Sequence, residues 1–113
     1  MIGTMYEISE YPVAEVGGWL HASRGSPSAR EIAARPDFWP DEFYREELTR
    51  RIRSAGGVQG EYALEARRLR NGEVLLLHGC HRWAVAHELG MPSVPVMMGF
   101  EVEPGHEAWS TWD

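Results

Sequence analysis

Two runs that read as strands, Glu61–Leu69 and Glu73–Leu77, flank the dipeptide Asn71-Gly72. Asn-Gly between such runs is the strongest short hairpin signal, because a two-residue turn needs positive φ at both positions. A chain that closes a hairpin here must build a sheet. In the first run Tyr62, Leu64 and Ala66 alternate with polar residues; the second is apolar on both faces, which predicts a strand inside the sheet. Residues 42–55 follow a different period. Tyr44, Leu48, Ile52 and Ala55 recur as one helical stripe, Asp41 can cap its start, and Gly56-Gly57 supplies the stop.

The remaining elements are shorter. Met5–Ser9 and Val13–Val16 read as an opening strand interrupted at Pro12. Ser28–Arg35 reads as a short helix stopped by Pro36. Arg82–Leu89 is helical, with Gly90 at its exit and Pro92 beyond; Val94–Met98 reads as a buried strand. Strand, helix, hairpin, helix and strand make an α+β fold: a mixed sheet with helices packed on it. The 113 residues suit one domain, 1–113, with its core over 5–98 and an acidic, Trp-containing tail over 99–113.

Composition removes several chemistries. All 11 basic residues are Arg, so no Walker-A lysine and no Schiff base can form. Cys80 is the single cysteine, which excludes an internal disulfide and multi-cysteine zinc sites; no metal site is expected. The N-terminus lacks a signal peptide's basic and apolar regions, and no apolar run approaches a membrane span, so a cytoplasmic protein without membrane contact is expected. The net charge of −6 is unevenly spread: −4 over residues 1–44, +3 over 45–82 and −5 over 83–113. The middle can form an anion-binding face, while the acidic total makes nucleic-acid binding weak and salt-sensitive.

The candidate chemistry lies where the second hairpin strand runs into the following helix, at His78-Gly79-Cys80-His81-Arg82. Amides at a helix start lack intrahelical partners, and the helix dipole favours an anion there. Gly79 lets a ligand approach the backbone closely, and Arg82 offers a forked donor for phosphate oxygens. His78 and His81 are proton carriers near neutral pH, and a helix start beside Arg and His favours the Cys80 thiolate. Together they make a phosphate-binding corner. The alternatives are a tight turn whose Arg and His pair with acids, and a Cys80 that is only a small buried hydrophobe.

The stretch Gly72–Val96, with its strand, Gly-Cys-His-Arg loop, Ala-containing helix ending in Leu-Gly, and Val-Pro-Val strand, resembles the core of the ParB/sulfiredoxin superfamily. Glu46–Gly57 is similar to the family's preceding helix, and Ile8–Val16 to its opening segment. The resemblance implies that Gly79, Cys80, His81 and Arg82 hold a nucleotide phosphate. The nucleotide expected is a nucleoside triphosphate, ATP or CTP, with Mg2+ accompanying it. It also implies that Cys80 matches the catalytic thiol of sulfiredoxins, which repair a cysteine sulfinic acid at the expense of ATP. Sulfiredoxins add a lysine from the preceding helix. This chain has none, and Arg45, Arg50, Arg51 or Arg53 would have to supply the charge.

Three functions follow from these readings. The first is a stand-alone ParB-like domain that binds a nucleotide or nucleic-acid phosphate at 79–82. It extends to a nucleotide phosphohydrolase or nuclease, with His81, Cys80 and His78 as catalytic groups. The second is a sulfiredoxin-like reductase using Cys80. The third is a non-enzymatic module that kept the fold and binds a protein partner through its acidic arms, with Trp109 and Trp112 either as anchors or docked internally. The exclusive use of Arg and the small size suit a GC-rich bacterium or its phage.

Overall fold

The computed structural model describes residues 3–22 and 27–102. Trp109 and Trp112 lie outside the described residues. Five strands form one mixed sheet: β1 Gly3–Pro12, β2 Leu20–His21, β3 Leu64–Arg68, β4 Val74–His78 and β5 Ser93–Val102. Their spatial order is β1-β5-β3-β4-β2. β5 runs antiparallel to β1 and parallel to β3; β4 runs antiparallel to β3 and parallel to β2. The helices are α1 Val13–Gly17, α2 Ala29–Ala33, α3 Glu42–Ser54 and α4 Cys80–Glu88.

The sheet buries one face. Leu64 and Ala66 of β3, Leu76 of β4, and Val94, Val96 and Met98 of β5 are all buried there. α4 lies across β3 and β5, and α1, α2 and α3 each pack on α4. Trp83 of α4 is the hinge of this layer. Its indole Nε1–H donates to the buried Val13 carbonyl at 2.8 Å, tying α4 to α1. Gly17 of α1 leaves room for the same ring, since a Cβ there would stand 2.6 Å from Trp83 Cζ2.

Capping explains two helix starts. Ser28 Oγ accepts from the Glu31 N–H at 3.2 Å while the Glu31 carboxylate accepts from the Ser28 N–H at 3.4 Å, a reciprocal box. Asp41 Oδ1 accepts from the Tyr44 N–H at 2.7 Å, as the sequence predicts for α3.

Three expectations change. Val13–Val16 is helix rather than strand. Val13 and Val16 stand one helical turn apart and both are buried, so packing overrides their β-branched preference. The Asn71-Gly72 hairpin forms, but not with a two-residue turn. Among the described residues only glycines have positive φ, Gly72 at 90° included. The connection spans residues 69–73, and Asn71 Oδ1 accepts from the Glu73 N–H at 3.0 Å, replacing one turn bond by a side chain. The strand expected over Glu61–Leu69 is shorter, because Gly60–Tyr62 forms a 3-10 turn and β3 begins only at Leu64. Of the four residues of the α3 stripe only Ile52 is buried.

Replacing Trp83 by Phe keeps most of the apolar volume and removes the donor to Val13. The orphaned carbonyl should lower unfolding free energy by about 1–3 kcal/mol, and Trp83→Ala by about 3–5 kcal/mol, measured by urea unfolding.

Candidate functional site

β4 ends at His78 and α4 begins at Cys80, leaving Gly79 as the whole connection. Gly79 adopts φ 117° and ψ 15°, a left-handed conformation, and caps α4 without any side-chain hydrogen bond. A Cβ at this position would stand 2.5 Å from Leu64 Cγ. Gly79 is therefore required twice, by its dihedrals and by the close seating of the loop on β3.

The residues after Gly79 point in different directions, because successive helical positions are about 100° apart. Cys80 is buried at 8% exposure. With His21, Ile32, Phe38, Leu77, His78, Gly79 and His81 it lines a cavity of about 290 Å³. His81 leans on the segment before α3. Its ring stacks on Phe38 with centroids 4.2 Å apart, and Trp39 and Tyr44 lie at 5.0 and 5.5 Å. Its Nε2–H donates to the Phe38 carbonyl at 2.7 Å.

Arg82 turns to the other side. Its Nη1 donates to the Tyr62 carbonyl, and to the Ala63 carbonyl at 3.1 Å. These bonds hold the guanidinium without neutralising its charge. Arg82 lines a second, apolar cavity of about 190 Å³ with Leu48, Arg51, Ile52, Ala55, Gly57, Val58, Gln59 and Tyr62. The single corner expected from the sequence is thus two cavities flanking one helix start. His78, Gly79, Cys80 and His81 share the first; Arg82 belongs to the second.

The stripe of α3 finds its use here: Leu48, Ile52 and Ala55 form the cavity wall. Of the four arginines considered on α3, only Arg51 shares this cavity with Arg82. Arg45 is engaged with Glu88 at 2.8 Å and lies over Trp39, while Arg50 pairs with Glu47. Arg51 Nε stands 3.7 Å from the Glu47 carboxylate. The hydrogen bond from Arg50 is the main reason that the Glu47 carboxyl is held below its ordinary range, with the charges of Arg50 and Arg51 adding to it against a weaker opposing effect of burial. Among the described residues no three His, Cys, Asp or Glu side chains stand together as metal ligands. No helix among them is long and apolar enough to cross a membrane.

This frame of sheet, α3, Gly79 loop and α4 can be set beside known structures. Sulfiredoxin from Arabidopsis thaliana superposes with a TM-score of 0.54 at 20% identity, over 81% of this chain and 83% of its own. A Pnob8-like ParB-N domain superposes at 0.53 and 15% identity, over 86% of this chain and 31% of its own. ParB from Caulobacter crescentus, C-terminally truncated and complexed with CTP-gamma-S, superposes at 0.52 and 24% identity. The chain has the ParB/sulfiredoxin-like fold. It covers less than half of that ParB chain, 47%, although 90% of the present chain is aligned. No family model and no curated protein matches the chain by sequence.

Within this version of the ParB/sulfiredoxin-like fold, sequence reading missed His21, Phe38, Gln59 and Tyr62 as cavity residues. Gln59 carries no periodic signal, and Tyr62, which the alternation assigns to a strand, stands instead in a short 3-10 turn, Gly60–Tyr62, ahead of β3. His21 reaches its cavity only because β2 pairs beside β4. The Phe38-Trp39 pair was the one available signal, two adjacent aromatics ahead of a capped helix.

Gly79→Ala should disturb the loop through both its dihedral strain and its contact with Leu64. The strain alone costs about 1–3 kcal/mol, so a clear drop in thermal midpoint is expected in the variant.

Proposed function

We propose that this chain binds a nucleoside triphosphate at the start of α4, with the phosphates over the first-turn amides and the base in the apolar cavity beside them. The observation that carries the reading is the placement of Arg82. Two backbone carbonyls hold its guanidinium, and Arg82 lines that cavity next to a helix start with no side-chain cap. The amides of residues 80–82 lack intrahelical acceptors by helix geometry and favour an anion. Arg51 adds a second guanidinium from α3. The ring of Tyr62, 63% exposed, offers a stacking surface for a base. A structural neighbour complexed with CTP-gamma-S supports CTP as the first nucleotide to try, with ATP beside it. Mg2+ would travel with the phosphates, which supply its oxygen ligands, rather than occupy a protein site.

Binding is favoured over turnover. The His81 ring is stacked on Phe38 and its Nε2–H is committed to a backbone carbonyl, so it acts here as a brace rather than a proton shuttle. Burial of Cys80 favours the nucleotide reading over the thiol one, because a partner's sulfinic acid must reach the sulfur directly.

Isothermal titration with ATP, CTP, GTP and UTP, each with and without Mg2+, tests the proposal. At least one should bind. Arg51→Ala, which leaves the Tyr62 and Ala63 carbonyl bonds intact, should weaken that binding by about tenfold to a hundredfold, the value of a charge-assisted hydrogen bond. A folded protein that binds none of the four overturns the reading.

A further inference from the structure

Gln59 follows the glycine turn that ends α3 and lines the apolar cavity with Leu48, Ile52, Ala55, Val58 and Tyr62. Its Nε2 donates to the Ala55 carbonyl at 3.0 Å and to the Gly57 carbonyl at 3.1 Å. A carboxamide has two N–H donors and one oxygen acceptor, so both donors are committed to the turn. Turning the amide over would set its oxygen against two carbonyl oxygens, and the backbone thereby fixes its orientation. Among the described residues Oε1 accepts no hydrogen bond. The cavity's other polar side chains are Arg51 and Arg82, which can only donate, and the Tyr62 phenol. The Gly57 and Tyr62 amides already donate to the Ile52 and Gln59 carbonyls.

We propose that Gln59 selects the base: the cavity takes bases with an exocyclic amine, cytosine and adenine, over the keto bases uracil and guanine. This inference rests on the nucleotide reading above and adds the residue that discriminates. With the phosphates over the first turn of α4 and the sugar between, the end of the base farthest from the phosphates enters the cavity first. There cytosine and adenine present the N4 and N6 amines, both donors, while uracil and guanine present the O4 and O6 oxygens, both acceptors. An amine donates to Gln59 Oε1. A keto oxygen meets it lone pair to lone pair, and the amide cannot swing round to donate without breaking both bonds to the turn. Selection therefore has a repulsive element as well as an attractive one. Arg51 and Arg82, which would favour a keto oxygen, are engaged by the phosphates in this arrangement. Because the turn holds the carboxamide in advance, little side-chain freedom is lost on binding.

Isothermal titration of the full chain tests it, with CTP compared against UTP and ATP against GTP. Two analogues complete the set, the triphosphates of pyrimidin-2-one riboside and purine riboside, which lack the amines of cytidine and adenosine. In whichever pair binds, the amino nucleotide should bind about tenfold tighter than its keto partner, the value of one hydrogen bond made or refused. The matching analogue should lose most of that advantage. Gln59→Leu keeps the bulk of the side chain and removes the acceptor, and should bring the amino-to-keto ratio close to one. Loss of the turn bonds in that variant weakens every nucleotide together and leaves the ratio as it was, so the ratio separates reading of the base from support of the turn. Equal binding of the four nucleotides, a preference for the keto base, an analogue bound as tightly as its parent, or a ratio unchanged in Gln59→Leu each overturns the proposal while nucleotide binding stands. A folded protein that binds none of them overturns the nucleotide reading and this inference with it.

Discussion

The close seating of Gly79 on Leu64 sets the geometry of everything beside it. It lets β4 pass into α4 with a single residue between them, and so fixes where the helix begins. The direction of each following side chain is then dictated by helical rotation. Cys80 goes toward the sheet and His21, His81 toward Phe38, and Arg82 toward Tyr62. One side chain more at position 79 would push the loop away from β3 and rotate all three.

That rotation divides the work between two sides of one helix start. On one side stand a thiol and three imidazoles, braced by aromatic rings. On the other, an apolar wall from α3 meets two guanidiniums. The proposed nucleotide uses the helix start itself and the second side, where positive charge is present and, among the described residues, no carboxylate pairs with Arg82. The first side is the one that packs. The Phe38–His81 stack and the hydrogen bond to the Phe38 carbonyl tie the segment before α3 to the start of α4. This keeps α3, and with it Arg51, near the cavity.

Much of this was legible in the chain itself. The capped and glycine-terminated α3, the β3–β4 hairpin, α4 and β5 all announce themselves by local chemistry, and the loop that carries the candidate site could be read residue by residue. What escaped were features with no local signature. Val13 and Val16 carry a strand former's side chains and become helical only because α4 and Trp83 bury them. Leu48, Ile52 and Ala55 keep helical spacing whether they face a core or a cavity. His21 and Tyr62 enter the site from elements remote in sequence.

By itself the order of residues determined α3 with its Asp41 cap, the β3–β4 hairpin, β5 and the chemical identity of the loop, because those depend on spacing and on dihedral preferences a few residues wide. Only the tertiary structure decided that Arg82 and Cys80 serve different cavities and that Arg51, among four arginines, lines the same cavity as Arg82. It also decided that the Asn71-Gly72 turn opens to five residues. These outcomes turn on how strands distant in sequence pair and on which way a helix is rotated when it settles on them, quantities fixed by packing across the whole domain rather than along the chain.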